Sequence, residues 1–251
     1  MRTIRPNLAK QRLAAGRHVI AIEGINHPDA VERLGPIEPH AFWFEGEHGI
    51  ASPLNIGDLS RACDIWGMTS IVRVGRVEEQ LIYRTLDLGA QGIAVPHVSS
   101  AEKAARVVDA AKFAPIGNRG IYTSRQGIGV TDYFHRANDE TLLVVFIEDL
   151  AALDQLDDML KVDHIDVFFV GPGDLSQVLG HLGDFAHPEV NKVVDDTIRR
   201  IVDRGRTAGT VGNASNMERV SKAGAKFFLC SATAWIIRGF NDLRQTLVER
   251  E

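Results

Sequence analysis

The chain has 251 residues, of which 45% are hydrophobic and 24% are charged. This composition is typical of a globular protein with one substantial core. The net charge of −5 excludes a basic surface of the kind that binds nucleic acid or an anionic membrane.

Two further features of the sequence bear on its location. No run approaches the roughly 18 apolar residues of a membrane span, and the first six residues lead into no signal segment. Cys63 and Cys230 lie among apolar neighbours and form no metal-type cluster, which favours buried thiols over a disulfide. We therefore expect a soluble cytoplasmic protein.

A short β-prone run followed by a helical run recurs along the chain. Strands are predicted at residues 18–24, 40–46, 69–74, 92–96, 141–147, 165–170, 207–211 and 225–230. Helices are predicted at residues 5–16, 28–33, 53–66, 78–88, 100–112, 150–160, 187–205, 215–223 and 232–249, and residues 115–138 form a long polar excursion.

Eight such units predict a (β/α)8 TIM barrel in which residues 1–251 form a single domain. Most of the predicted strands are continuously apolar, as strands covered on both faces are. A doubly wound open sheet is the alternative. Such a sheet usually carries a glycine-rich phosphate loop after its first strand, and Glu23-Gly24-Ile25-Asn26 is not one.

Two carboxylates, Glu148 and Asp174, come directly after apolar strands. The active site of a (β/α)8 barrel lies at the carboxyl ends of its strands. Two carboxylates together with water and substrate oxygens suit Mg²⁺ or Mn²⁺ better than zinc. The alternative for each acid is that it caps the helix that follows.

Other strand ends carry a His and an Arg. His48 follows Glu45 and Glu47 in a glycine-flanked turn, where it could move protons near neutral pH, or have no role. Asp87 is a candidate partner for His48, or a merely solvated side chain. Arg73 emerges from an apolar strand and offers a bidentate grip on an anion; a structural salt bridge is the alternative.

The sequence resembles the metal-dependent class II pyruvate aldolases of the HpcH/HpaI family, which includes 4-hydroxy-2-oxoheptanedioate aldolase and relatives of 2-keto-3-deoxy-L-rhamnonate aldolase. The resemblance runs in order from about residue 5 to the C-terminus. The residues that carry it are Glu45-Gly46-Glu47-His48, Arg73, Leu86-Asp87-Leu88-Gly89-Ala90-Gln91, Val95-Pro96, Pro115-Ile116-Gly117-Asn118-Arg119-Gly120, Ile147-Glu148 and Gly171-Pro172-Gly173-Asp174-Leu175-Ser176.

The resemblance implies a role for each matching residue. Glu148 and Asp174 would bind a divalent metal (Mg²⁺, Mn²⁺ or Co²⁺) that a 2-oxo acid such as pyruvate chelates. His48 would be the acid/base, supported by Asp87, and Arg73 would hold the pyruvate oxygens and the enolate charge. Backbone around Gly173 and Asp174 would line the carboxylate site, and Glu45 and Glu47 would hydrogen-bond water around the metal. The family also implies a homo-hexamer, a trimer of dimers, with the last helix swapped between partners.

Some residues depart from the family pattern. Glu45 stands where Asp is usual, and Phe146 stands where a polar Gln is common. Glu23 replaces a frequent aromatic of the pocket wall, and Asn213 follows the seventh strand where an aliphatic side chain often touches the aldehyde. These changes leave the aldehyde open, with Glu23 and Asn213 as candidate contacts. Two other interpretations stay open: an acyl-CoA lyase related to citrate lyase β-subunit and malyl-CoA lyase, and a catalytically silent binding protein.

Overall fold

The computed structural model describes residues 2–247, and its centre is a closed barrel of eight strands. Every strand pairs in parallel with the next, and the last pairs with the first. The predicted TIM barrel is thereby confirmed. The strands are β1 (Val19–Glu23), β2 (Ala41–Glu45), β3 (Thr69–Arg73), β4 (Gly92–Val95), β5 (Leu142–Ile147), β6 (Val167–Val170), β7 (Ala208–Val211) and β8 (Phe227–Ser231).

The interior of the barrel is filled by side chains, four of them large aromatics. Phe146 and Phe169 lie with ring centroids 4.6 Å apart, and Trp43 lies 5.9 Å from Phe146 and 6.3 Å from Phe227. Alternate residues of β5 point the other way, where Leu143, Val145 and Ile147 pack beneath the helices. Burial on both faces explains why these strands read as continuous apolar runs.

Helices form the outer layer. They are α1 (Leu8–Ala14), α2 (Pro28–Arg33), α3 (Ile56–Ile65), α4 (Glu79–Asp87), α5 (Ala101–Ala111), α6 (Tyr133–Glu140), α7 (Leu150–Asp154), α8 (Leu156–Met159), α9 (Pro172–Val178), α10 (Pro188–Asp203), α11 (Met217–Lys222) and α12 (Ala232–Thr246). Among residues 2–247, none of these helices combines the length and the apolar character that crossing a membrane would require.

Several element boundaries differ from the prediction for local reasons. The first helix starts at Leu8 because the Asn7 side chain accepts the Lys10 amide and caps it. The polar excursion contains α6, whose Tyr133 and Ala137 are buried on one face four residues apart. The predicted helix at residues 150–160 is divided into α7 and α8.

The closing helix α12 stands largely free of the barrel. Of its residues only Ala232 is buried. Its exposed side chains include large apolar ones, among them Trp235, Ile236, Phe240 and Leu243. The predicted end of this helix at residue 249 lies outside the described residues. A helix that is apolar and uncovered has a surface available for another chain.

Candidate metal centre and active site

The carboxyl ends of neighbouring strands bring charged side chains to one mouth of the barrel. Glu45 ends β2 directly opposite Arg73, which ends β3. Glu23 ends β1, and Glu148 follows β5 by one residue. The structure thus brings these sequence-predicted residues together at the end of the fold where barrel enzymes carry their chemistry.

Glu148 is almost fully buried, with 2% of its side chain exposed. It does not cap α7, because the neighbouring Asp149 takes that role by accepting the Ala152 amide at 2.7 Å. Glu148 Oε1 instead accepts the backbone N–H of His97 at 2.7 Å. Burial raises the pKa of Glu148 to about 7, although that N–H and the charge of Arg73 oppose the rise.

Asp174 lies in the first turn of α9, beyond the N-cap residue Gly171. The helix-cap alternative is therefore not what the structure shows for this acid either. Gly171 lets the chain pass close to Glu148, since a Cβ there would lie 3.1 Å from the Glu148 carboxylate. One oxygen of Asp174, one oxygen of Glu148 and a ring nitrogen of His97 all lie within 4.8 Å of one another.

His97 was not among the residues singled out from the sequence. It follows β4 and Pro96, and its backbone has a φ of +54°. Its ring lies between two carboxylates, with Nδ1 3.3 Å from Glu148 Oε1 and Nε2 3.3 Å from Glu47 Oε1. The sequence signal was its place at the end of a strand, which is the signal that marked the other site residues.

Arg73 is the cation of the site. Its Nη2 pairs closely with Glu47 Oε2 and lies 3.7 Å from Glu148 Oε2, and its Nη1 lies 3.6 Å from Glu45 Oε2. The guanidinium carbon lies 4.4 Å from the centroid of the Phe146 ring. Arg73 therefore makes structural ion pairs, which were one interpretation of the sequence. It also lies at the mouth of the barrel, which is where the other interpretation, binding of an anion, requires it.

The turn after β2 is organised by Glu45. Its Oε1 accepts the backbone N–H of Glu47 at 2.8 Å and that of His48 at 3.2 Å. The His48 ring lies 3.7 Å from Glu47 Oε2, and 72% of its side chain is exposed.

Asp87 is not near His48 within this chain. It is the last residue of α4, and it pairs with Arg119 at 2.6 Å. The chain passes from there through Gln91 to the first residue of β4, so Asp87 lies at the amino end of the barrel. Because His48 lies beyond the carboxyl end of β2, the support expected from Asp87 is absent within residues 2–247.

The other expected substrate contacts lie at the carboxyl end of β1 and in the turns that follow β6 and β7. Burial, and next the charge of Glu45, raises the pKa of Glu23. Gly173 and Asn213 line a neighbouring cavity of about 670 Å³. The Asn213 side chain is occupied locally, because its Oδ1 accepts from the backbone N–H groups of Ser215 and Asn216.

The donor set fits a divalent cation. Five carboxylates lie at or near the mouth with one guanidinium, and the buried Glu148 lies 3.7 Å from Arg73 and 3.3 Å from the His97 ring. A site rich in carboxylate oxygens is of the kind that accommodates a divalent cation.

Comparison with known proteins decides the family. A family model described as HpcH/HpaI aldolase/citrate lyase matches residues 24–233. The chain belongs to this family. It is 39% identical to 2-keto-3-deoxy-L-rhamnonate aldolase of Klebsiella pneumoniae subsp. pneumoniae over 173 residues, which is 66% of this chain and 63% of that enzyme, less than two thirds of its length. These findings confirm the expected family.

Solved structures agree on the fold of this HpcH/HpaI family member. An HpcH/HpaI aldolase/citrate lyase family protein from Burkholderia cenocepacia J2315 is similar with a TM-score of 0.88 and 26% identity, covering 95% of this chain and 98% of that one. The citrate lyase β-subunit of M. tuberculosis, solved with oxaloacetate and magnesium, has a TM-score of 0.61 at 14% identity, covering 89% and 95%. At that identity the second likeness concerns the fold alone.

Proposed function

We propose that this protein is a divalent-metal-dependent aldolase, a carbon–carbon lyase that cleaves or forms 4-hydroxy-2-oxo acids through a pyruvate enolate and an aldehyde. The observation that carries the proposal is the convergence of the buried Glu148 and of Asp174 beside Arg73 at the mouth of the barrel. Family membership and the aldolase relatives support it. The magnesium in the citrate lyase β-subunit supports the same class of ion.

Glu148 and Asp174 would hold the cation, which could be Mg²⁺, Mn²⁺ or Co²⁺. When bound, a divalent cation supplies Lewis-acid stabilisation of the charge that develops on the enolate. Arg73 would bind the oxygens of the 2-oxo acid and stabilise the same charge. The backbone of Gly173 and Asp174 would receive the substrate carboxylate, and Glu45 and Glu47 would hold water behind it.

His48 is the proposed acid/base. Its ring is largely exposed at the mouth and lies 3.7 Å from Glu47 Oε2, so it can exchange protons with solvent and with substrate. Imidazole is the side chain that most often transfers protons to and from a reacting group in enzymes. Asp87 cannot assist it from within the same chain, so Glu47 is the acid that faces this ring.

The aldehyde would bind on the side of the 670 Å³ cavity, where Gly173 and Asn213 provide polar edges. Glu23, at the end of β1 and separated from β7 only by β8, contributes negative charge. A neutral or hydroxylated aldehyde is therefore better matched to this mouth than a semialdehyde that carries a carboxylate.

The deciding experiment is exchange of the methyl protons of pyruvate with deuterated water, followed by NMR with Mg²⁺ or Mn²⁺. We expect exchange in the wild type, a loss of about 100- to 1,000-fold in Arg73→Ala and of about 100-fold or more in His48→Ala. Arg76→Ala is the matched control, because Arg76 is three residues away and exposed. Absence of exchange by the folded wild-type protein would favour a silent binding protein, and faster cleavage of a CoA thioester would favour the acyl-CoA lyase.

We also propose that the protein is a homo-hexamer, a trimer of dimers, in which α12 packs on a second copy. The support is the exposure of Trp235, Ile236, Phe240 and Leu243, an apolar face of the kind that marks interfaces. Light scattering after chromatography should give a hexamer for the wild type and smaller species for Ile236→Asp combined with Phe240→Asp. A monomeric wild type would contradict this. The free, buried thiols of Cys63 and Cys230 support a cytoplasmic location.

A further inference from the structure

The backbone conformation at His97 brings both the N–H and the ring of this residue to the carboxylate of Glu148. With a φ of +54°, the residue presents both its N–H, at 2.7 Å, and its Nδ1, at 3.3 Å, to Glu148 Oε1. A left-handed backbone is costly for a residue with a side chain, and such conformations are concentrated at functional sites. Lys103 holds the turn in place by donating to the His97 carbonyl at 3.1 Å.

The ring of His97 is available as a ligand. Within residues 2–247 neither ring nitrogen makes a hydrogen bond, although each lies 3.3 Å from a carboxylate oxygen. The side chain is 55% exposed towards the mouth. The ring nitrogens therefore face two acids without being held by a hydrogen bond within these residues.

The distances also fit joint coordination. Two ligands at right angles around an ion with bonds of about 2.1 Å lie about 3.0 Å apart, and opposite ligands lie about 4.2 Å apart. The Nδ1–Oε1 distance of 3.3 Å is close to the first value. The ligand atoms of His97, Glu148 and Asp174 all lie within 4.8 Å of one another, which is compatible with either arrangement.

We propose that His97 is a third protein ligand of the divalent cation, and that its nitrogen shifts the preference of the site from Mg²⁺ towards Co²⁺. The inference rests on the proposed function, since it takes the Glu148 and Asp174 metal site as given. Mg²⁺ binds oxygen and rarely takes an imidazole, whereas imidazole suits the later first-row ions. The turn after β4 would then tune which ion the enzyme uses.

The first test is spectroscopic. Pulsed EPR of Mn²⁺ bound to the wild-type protein should show coupling to a directly bonded nitrogen. That coupling should vanish in His97→Asn and persist in His48→Ala, the control that removes the other imidazole near Glu47. Asn tolerates a positive φ, so His97→Asn keeps the turn without the imidazole, and His97→Gly is the second variant that does so.

The second test compares ions by calorimetry on metal-free protein. We expect His97→Asn and His97→Gly to weaken Co²⁺ binding about tenfold or more while Mg²⁺ binding changes less than about threefold. Equal weakening of both ions, or Mn²⁺ bound with no nitrogen coupling in the wild type, overturns the role of His97 and leaves the metal site intact. Mn²⁺ binding that Glu148→Gln does not weaken overturns the metal site itself, and with it the proposed function.

Discussion

Replacing Glu148 with Gln should stabilise the metal-free protein while removing its metal binding. Burial raises the pKa of this carboxyl from 4.5 to about 7 in the folded state. Between those values the folded protein binds a proton that the unfolded chain has lost, so the contribution of Glu148 to stability is full below pH 4.5 and is lost as pH rises through about 7. The gap corresponds to about 3 kcal/mol at 1.36 kcal/mol per pH unit.

The amide that replaces this carboxyl cannot ionise, and its oxygen can still accept the His97 N–H. We therefore expect Glu148→Gln to raise the free energy of unfolding by about 3 kcal/mol at pH 8 and by little at pH 4.5. For a chain of this length that is a rise in Tm of about 6–12 °C. Urea unfolding of chelator-treated protein at both pH values measures it.

The comparison must be between variant and wild type at each pH, because other groups titrate. Burial lowers the pKa of Lys112 to about 7, so the contribution of Lys112 to stability rises with pH from about 7 towards 10.5, opposite to that of Glu148. Glu32→Gln, the same change at an exposed acid of α2, is the control and should change little. A variant no more stable than wild type at pH 8 would refute the reasoning.

Four further predictions concern residues at the two ends of the barrel and the metal. Phe146→Leu removes the ring beneath Arg73 and should lower kcat/KM about 2- to 30-fold, from a cation–π energy of about 0.5–2 kcal/mol, whereas a value equal to wild type would show that the ring only fills space. Arg119→Met leaves Asp87 unpaired and should lower the free energy of unfolding by about 3 kcal/mol. The rate of pyruvate proton exchange per folded molecule should stay the same; its loss in folded protein would show that Asp87 has a role in the reaction. Borohydride with pyruvate should trap no adduct on Lys226, which precedes β8 at the amino end of the barrel; a trapped adduct seen by mass spectrometry would refute the metal mechanism. A chelator should abolish activity, and added metal should restore it.

The fold was predictable because its strands are buried on both faces. The run from Leu142 to Ile147 is apolar throughout. Such a run between helices indicates a parallel sheet covered on both faces, and eight such units favour a barrel. The carboxyl-end rule then places Glu148 and Arg73 at one mouth. The same rule could have corrected Asp87, because a residue that ends a helix and precedes a strand lies at the opposite mouth.

The carboxyl-end rule also places His97 at this mouth, but nothing else in the sequence singles it out. A lone His after Val95-Pro96 has no neighbouring acid in sequence, and its partners come from β2 and β5, far away along the chain. Its positive φ is a property of the folded turn. The sequence also left open whether Glu148 caps the next helix or faces the mouth. In the structure the neighbouring Asp149 caps α7, and Glu148 faces the mouth.

The aromatic filling of the barrel limits how substrates can reach the site. Trp43, Phe146 and Phe169 close the interior beneath Arg73, so molecules enter and leave through one opening. A 2-oxo acid held against Arg73 would occupy the deeper position, and the aldehyde would lie above it. The kinetics of the condensation should then be ordered, with the oxo acid binding first and excess aldehyde slowing its entry.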